Sequence, residues 1–379
     1  MMMRYAKVLP DGTFVKPKSD KLVYLTMVQV RAYLIKSLGA QMGAATTIAT
    51  RFSAARLQGR TPDRKGEFQV LDYQNQQHAL FPLIAVSYAA YFAGVSVVEM
   101  HDSAVDIVKS GSASFASKLA ELHAVSSGLK AWLATKVSDG IESCRRLCGG
   151  HGFTQSSNLA HIFAEIVALL PSSETSTMFL NKTKAFSDIK LRCKAQTPRD
   201  FGNLDLLLEA FQVRGARIVF ALASQMKATK NDGNACMVLM TRASTAHAEL
   251  LLLDSFIRGV KTLAIGPERE AVANLCSLFG AWLITKSLGD FRQHDYLSSN
   301  QADFVRDQVV RLLPIVRKNC VLLTDAWDFS DFELNSTIGR YDGDIYRALV
   351  KRAADEPLNA SEVPKGYEEY LKPLIQSVL

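Results

Sequence analysis

From Lys21 to Gln58 apolar side chains return every three or four positions, Ala, Leu and Met prominent among them, so the spacing predicts one long helix. Gly39 and Gly43 fall inside it, where a missing side chain lets a neighbouring element pack closely. The same periodicity predicts helices at about Tyr73–Ser103, Phe115–Leu147, Leu159–Leu170 and Ser176–Ile189. After a break it resumes at Leu204–Lys227, Ala235–Leu263, Glu268–Leu288 and Ser298–Ala326. The break, Lys190–Asn203 (KLRCKAQTPRDFGN), is polar with one Pro and one Gly and is the best candidate for a domain boundary. Gly59–Gly66 (GRTPDRKG) reads as a basic loop. Only the start of the chain has another character: Arg4–Leu9 is strand-like, Pro10-Asp11-Gly12 is turn chemistry, and Thr13-Phe14-Val15 is again extended. There is no repeat of fixed period and no low-complexity tract. The expectation is an all-α body of two helical-bundle domains, 19–195 and 196–379. Residues 1–18 form an extended piece with no sheet of its own to join, and an isolated strand pair is marginal in water.

One window tests this reading. Ala79–Val98 carries no charge, and about 20 apolar residues suffice to cross a bilayer. Pro82, Ser87, Tyr88, Gly94 and Ser96 interrupt it, an amide-rich stretch (Gln74-Asn75-Gln76-Gln77-His78) precedes it, and no comparable second span exists. A helix buried in a bundle fits better than a membrane span. Composition agrees: 379 residues, 48% hydrophobic and 21% charged, with 22 Gly and 11 Pro, exclude a disordered or collagen-like chain. Six scattered Cys make no disulfide scaffold, and no basic segment with a short apolar run opens the chain, so a reducing interior compartment is expected. The net charge of +7 suits nucleotide phosphates, nucleic acid or an acidic membrane, and its sign alone does not choose.

Three constellations could carry chemistry. In Gly140–Phe153 (GIESCRRLCGGHGF) a helix ends in three glycines within four residues. That either caps the helix or bares backbone N–H groups to a flat or phosphorylated ligand. Cys144, Cys148 and His151 lack a nearby fourth ligand, so packed thiols fit better than zinc, and no metal is expected. The basic run Arg51, Arg56, Arg60, Arg64, Lys65 could clamp a pyrophosphate, complement a helix C-terminus or sit in solvent. A nucleic-acid groove has no interleaved aromatics or known motif to support it. The acidic stretch Asp325–Leu334, followed by Gly339–Asp344, lacks EF-hand spacing and alternates acids with aromatics, which favours a packed helix terminus and loop over a calcium site.

Taken together and in order, these residues resemble the peroxisomal acyl-CoA oxidase family over nearly the whole chain. The likeness shows in MRYAKVLPDGTFVKP at Met3–Pro17, TIATRFSAARLQ at Thr47–Gln58, LDYQNQQHALFPLIA at Leu71–Ala85, GIESCRRLCGGHGF at Gly140–Phe153 and DFELNSTIGRYDGDIY at Asp331–Tyr346. The family's LN-x-x-EV element appears as Leu358–Val363.

The resemblance implies FAD as cofactor, and oxidation of a fatty acyl-CoA to the trans-2-enoyl-CoA with O2 reduced to hydrogen peroxide, in fatty-acid β-oxidation. It implies that Arg56 reaches the FAD pyrophosphate and Arg31 the CoA side. Gly149, Gly150 and Gly152 would meet the FAD of a neighbouring subunit, hence a homodimer, and Gln74, Gln76 and Gln77 would face that region or else cap and bridge helices. The family's catalytic glutamate, counted ungapped from Gly149, falls on Ser173, and Glu174 beside it is the expected base.

The likeness begins at the end of the family's middle β-domain, so Met1–Lys18 reads as the last strand of an absent sheet and the chain as truncated. A non-catalytic dimerisation module that pairs with full-length oxidase subunits is the alternative. Peroxisomal localisation is implied as well, although Ser377-Val378-Leu379 has Val where the usual targeting tripeptide has a basic residue.

Overall fold

The computed structural model describes residues 6–16, 20–63, 65–110, 115–167, 186 and 188–378. Glu174, Arg64, the start of the first predicted strand and nearly all of the helix predicted at Ser176–Ile189 lie outside the described residues.

The N-terminal piece pairs with itself. β1 (Lys7–Val8) and β2 (Phe14–Val15) run antiparallel, with Lys7 opposite Val15. Gly12 turns the chain at φ +84°, and Asp11 accepts a hydrogen bond from the Thr13 amide at 3.0 Å. Val8, Phe14 and Val15 stay exposed, so the extended piece is a small solvent-facing hairpin that joins no other strand among the described residues.

Three long helices follow: α1 (Asp20–Ala55), α2 (Gln74–Ser110) and α3 (Phe115–Leu147), with α4 (Leu159–Val167) across one end. α1 stops three residues before the periodicity predicts, because Gly59 takes φ +81° and the tyrosine hydroxyl of Tyr73 donates to the Gln58 carbonyl at 2.9 Å. Leu57–Arg60 therefore forms β3, paired antiparallel with β4 (Glu67–Gln69), and only the tip of the basic segment remains a loop. Where α1 crosses α2 the glycines are reciprocal. A Cβ on Gly39 would lie 2.9 Å from the Tyr91 amide nitrogen, and one on Gly94 would lie 2.6 Å from the Lys36 Cα. Gly43 instead admits the Trp327 indole, 2.7 Å from an added Cβ. α2 is long and apolar enough to cross a membrane, yet two thirds of its most apolar window (67%) is buried in the bundle, with Phe81, Ile84, Ala90 and Ala93 fully enclosed.

The second half comprises α5 (Leu204–Ala228), α6 (Gly233–Thr262), α7 (Pro267–Lys286), the short α8 (Leu288–Arg292), and α9 (Ser299–Arg317). After them come α10 (Cys320–Asp325), α11 (Asp331–Leu334), α12 (Ile345–Asp355) and α13 (Lys372–Val378). Side-chain caps mark the starts: Asn203 on α5, Asp232 on α6, and capping boxes from Ser298 and Ser330 on α9 and α11. The single helix expected at Ser298–Ala326 breaks at Lys318-Asn319. The turn lays α10 on α1 and α2, where its carbonyls of Leu323 and Thr324 accept from Tyr88 and Thr47.

The polar stretch 190–203 is clamped, not loose. Cys193 N–H donates to Tyr296 C=O, Gln301 Nε2 donates to the carbonyls of Cys193 and Ala195 at 2.9 Å each, and Phe201 is fully buried. One continuous cluster of buried side chains runs from Leu25 to Ile345, across both sides of that stretch.

Candidate functional site

At one end of the bundle the C-terminus of α3, the C-terminus of α1 and the N-terminus of α2 converge on an open cleft of about 700 Å³. α3 ends because Gly149 adopts φ +58°, while Cys148 N–H still reaches back to Cys144 and Arg145 carbonyls at 3.2 Å. A tight turn over Gly149–Phe153 follows. Its three glycines are not equivalent. Added Cβ atoms at Gly149 and Gly150 would meet nothing within 4 Å, whereas one at Gly152 would lie 1.9 Å from the Arg145 carbonyl oxygen. Gly152 lets the turn fold back on α3; Gly149 and Gly150 leave main chain bare on the cleft wall.

Arg56 lines the opposite wall. Its Nη1 donates to the Tyr346 hydroxyl at 2.6 Å, its guanidinium lies 5.9 Å from that ring, and it has no carboxylate partner among the described residues. Two neighbouring arginines are engaged by carboxylates. Arg51 is buried and bound to Asp325 at 3.0 Å, to Asp331 at 3.7 Å and to the Gly339 carbonyl at 3.0 Å, with the Tyr341 ring 5.1 Å away. Arg146, which also lines the cleft, pairs with Glu142 at 3.1 Å. The basic run thus divides: Arg51 is the anchor of the acidic C-terminal stretch, while Arg56 faces open space. The acidic stretch forms the helix terminus and loop expected, tied down by Arg51.

The amides also divide. Gln76 lines the cleft, and its Nε2 donates to Ser53 Oγ at 2.9 Å and to the Leu147 carbonyl at 3.2 Å, tying α2 to α1 and α3. Gln77 is buried and donates to the Leu71 carbonyl at 3.1 Å within its own entry turn, and Gln74 is exposed outside the cleft. Arg31 does not join them. It sits on α1 about 38 Å along the axis from Arg56, where its Nη1 donates to Ser127 Oγ at 2.8 Å and approaches His123 Nδ1 at 3.3 Å. Glu174 lies outside the described residues.

Cys144 and Cys148 are fully enclosed beneath the turn, and burial pushes the Cys144 thiol up to about 12 and Cys148 well above its ordinary value. Both are neutral packing groups, and among the described residues no cluster of His, Cys, Asp and Glu could hold a metal. Sequence reasoning missed Tyr73, Thr154 and above all Tyr346. The last stands in the DFELNSTIGRYDGDIY segment, but nothing local links it to a helix end 290 positions earlier.

Comparison with known proteins agrees with this architecture. Residues 24–186 match the acyl-CoA oxidase C-alpha1 domain, and residues 203–376 match the acyl-CoA oxidase family. The chain belongs to the acyl-CoA oxidase family. Among curated relatives, peroxisomal acyl-coenzyme A oxidase 1 of Mus musculus is 34% identical over 410 aligned residues, covering 99% of this chain and 61% of that protein. Its counterpart in Arabidopsis thaliana is 35% identical, with 100% and 61% covered. Among solved structures, Arabidopsis thaliana acyl-CoA oxidase 1 superposes with a TM-score of 0.87 at 34% identity, covering all of this chain and 62% of that one. Acyl-CoA oxidase-1 of Caenorhabditis elegans, complexed with FAD and ATP, gives 0.85 at 31% identity over 99% and 60%. The chain therefore spans about three fifths of the length of these relatives.

Proposed function

We propose that this chain works in an FAD-dependent acyl-CoA oxidase, with 19–195 and 196–379 as its two helical units. The reaction would convert a fatty acyl-CoA to the trans-2-enoyl-CoA and reduce O2 to hydrogen peroxide. The observation that carries this reading is Arg56, a cation with no carboxylate partner among the described residues, set across an open cleft from the bare backbone of Gly149 and Gly150. That chemistry fits an anionic dinucleotide: guanidinium takes the pyrophosphate, and the glycines give a flat ligand room against the main chain. Bound FAD would supply the redox chemistry. Because both walls belong to one cleft, a single FAD would meet Arg56, Gln76, Gly149 and Gly150 together. By family likeness that FAD sits on a neighbouring subunit, which makes the assembly a homodimer with shared sites. Gln77 and Gly152 then act on the cleft through the turns they hold, and Gln74 would meet the ligand from its exposed place at the start of α2. Glu174 would take the α-proton and Arg31 the CoA side, and the peroxisome is the proposed compartment, in keeping with the names of the relatives.

The test is the visible spectrum of the purified chain together with peroxide release on a long-chain acyl-CoA. Bound flavin with turnover that disappears in Glu174→Gln supports the oxidase. A colourless, inactive chain that co-purifies with a longer oxidase subunit overturns it in favour of the non-catalytic dimerisation module.

A further inference from the structure

Arg56 is the cation that the proposed site depends on, and its geometry raises the question of what holds it. An arginine side chain carries large rotamer freedom, and one at a helix end beside open space would spread over many orientations. Three other arginines of this region are fixed by carboxylates: Arg51 by Asp325, and Arg145 and Arg146 by Glu142. A carboxylate beside Arg56 would fix it equally well but would cancel the charge an anionic ligand needs. Tyr346 supplies the alternative. Its hydroxyl accepts from Nη1 at 2.6 Å and its ring lies 5.9 Å from the guanidinium carbon, so the side chain is oriented by a neutral group. One N–H of five is used, which leaves the remaining donors for the cleft.

The placement of Tyr346 is itself over-determined. It is the second residue of α12, and Ile345 just before it is buried in the core. The preceding loop is pinned by Arg51 to Gly339, by Arg340 to Asp342 and by Asp342 to the Asp344 amide at 3.0 Å. An added Cβ on Gly339 would lie 2.7 Å from Ile48 Cγ1, so this loop lies against α1 about two turns before Arg56. We propose that Tyr346 is a positioning residue for the dinucleotide site: it holds the Arg56 guanidinium, without neutralising it, in the orientation that receives a pyrophosphate. This rests on the FAD reading given above.

The experiment is an FAD titration, followed by flavin fluorescence, of the wild-type chain, Tyr346→Phe, Arg56→Met and the double variant, with a thermal melt of each. Phe keeps the half-exposed ring, so the fold is expected to melt unchanged. Loss of one hydrogen bond to a charged donor should weaken FAD about tenfold in Tyr346→Phe. Because Tyr346 acts through Arg56, the double variant should bind no more weakly than Arg56→Met alone. Unchanged or tighter binding in Tyr346→Phe overturns the proposal, tighter binding meaning that the hydroxyl competes with the ligand. A loss that adds in full to that of Arg56→Met also overturns it. If wild type binds FAD and Arg56→Met weakens it while Tyr346→Phe does not, the flavin reading stands and only the role of Tyr346 falls. If wild type binds no FAD, both fall.

Discussion

A methyl group at Gly150 and one at Gly152 would meet opposite surroundings, open cleft in the first case and the Arg145 carbonyl at 1.9 Å in the second. Gly150→Ala should therefore leave the urea unfolding midpoint nearly unchanged, within about 0.5 kcal/mol, while weakening FAD binding. Gly152→Ala should cost roughly 3 kcal/mol or more, because backbone must move. The sequence displays both glycines in one motif and cannot tell them apart, since the distinction lies in how the turn folds back on α3. The cations teach the same lesson. Arg51 and Arg56 look alike in sequence, but the acids that engage Arg51 lie more than 270 positions away, and only packing separates the buried anchor from the open ligand. A third residue has a pH signature. Burial holds His247 neutral down to about pH 4 in the folded chain, against 6.5 in the unfolded one. The unfolded state takes up the proton first, so its contribution is complete above pH 6.5 and is lost as pH falls toward 4, by at most about 3 kcal/mol. Denaturant titrations across that interval should show a flatter decline in His247→Met.

Among the elements, the helix pattern was largely legible, because each helix needs an apolar face at a fixed period and the caps stand beside it in sequence. What the period could not show was how helices lock together away from the apolar stripe. Arg214 on α5 pairs with Glu249 on α6 and with Asp290 on α8 at 2.9 Å, Arg242 reaches Asp290 at 2.6 Å, and the α3 indole of Trp132 donates to Glu249 at 3.1 Å. Glu249 and Arg214 are nearly inaccessible, so each depends on the other. Glu249→Leu alone should cost about 3 kcal/mol, by leaving the buried Arg214 guanidinium with Asp290 as its one carboxylate and the Trp132 N–H without its acceptor. Arg214→Met combined with it should recover most of that, as read from urea midpoints of the three variants. The early end of α1 and the break after α9 were equally hidden. Both depend on tertiary partners, Tyr73 on Gln58 and α10 on Tyr88, that outweigh a periodic sequence continuing past them.

At the scale of the molecule, a single buried cluster crosses the polar stretch 190–203, and Gln301 and Tyr296 hold that stretch by its backbone. Calorimetry of the chain should accordingly show one cooperative transition; two resolved transitions would mean the helical units unfold independently despite their shared core. The +7 charge likewise gains meaning only in three dimensions, since most cations near the cleft are paired and Arg56 is held by a neutral hydroxyl instead. The sequence by itself determined the all-α class, most helix starts, the buried rather than membrane character of α2 and the family to which the chain belongs, because local periodicity, caps and ordered motifs are written in neighbouring residues. Tertiary structure alone decided which arginine of the cleft lacks a carboxylate among the described residues, which glycines are open, and that a tyrosine from α12 bonds to Arg56. Those outcomes depend on contacts between residues hundreds of positions apart, and such contacts leave no periodic trace along the chain.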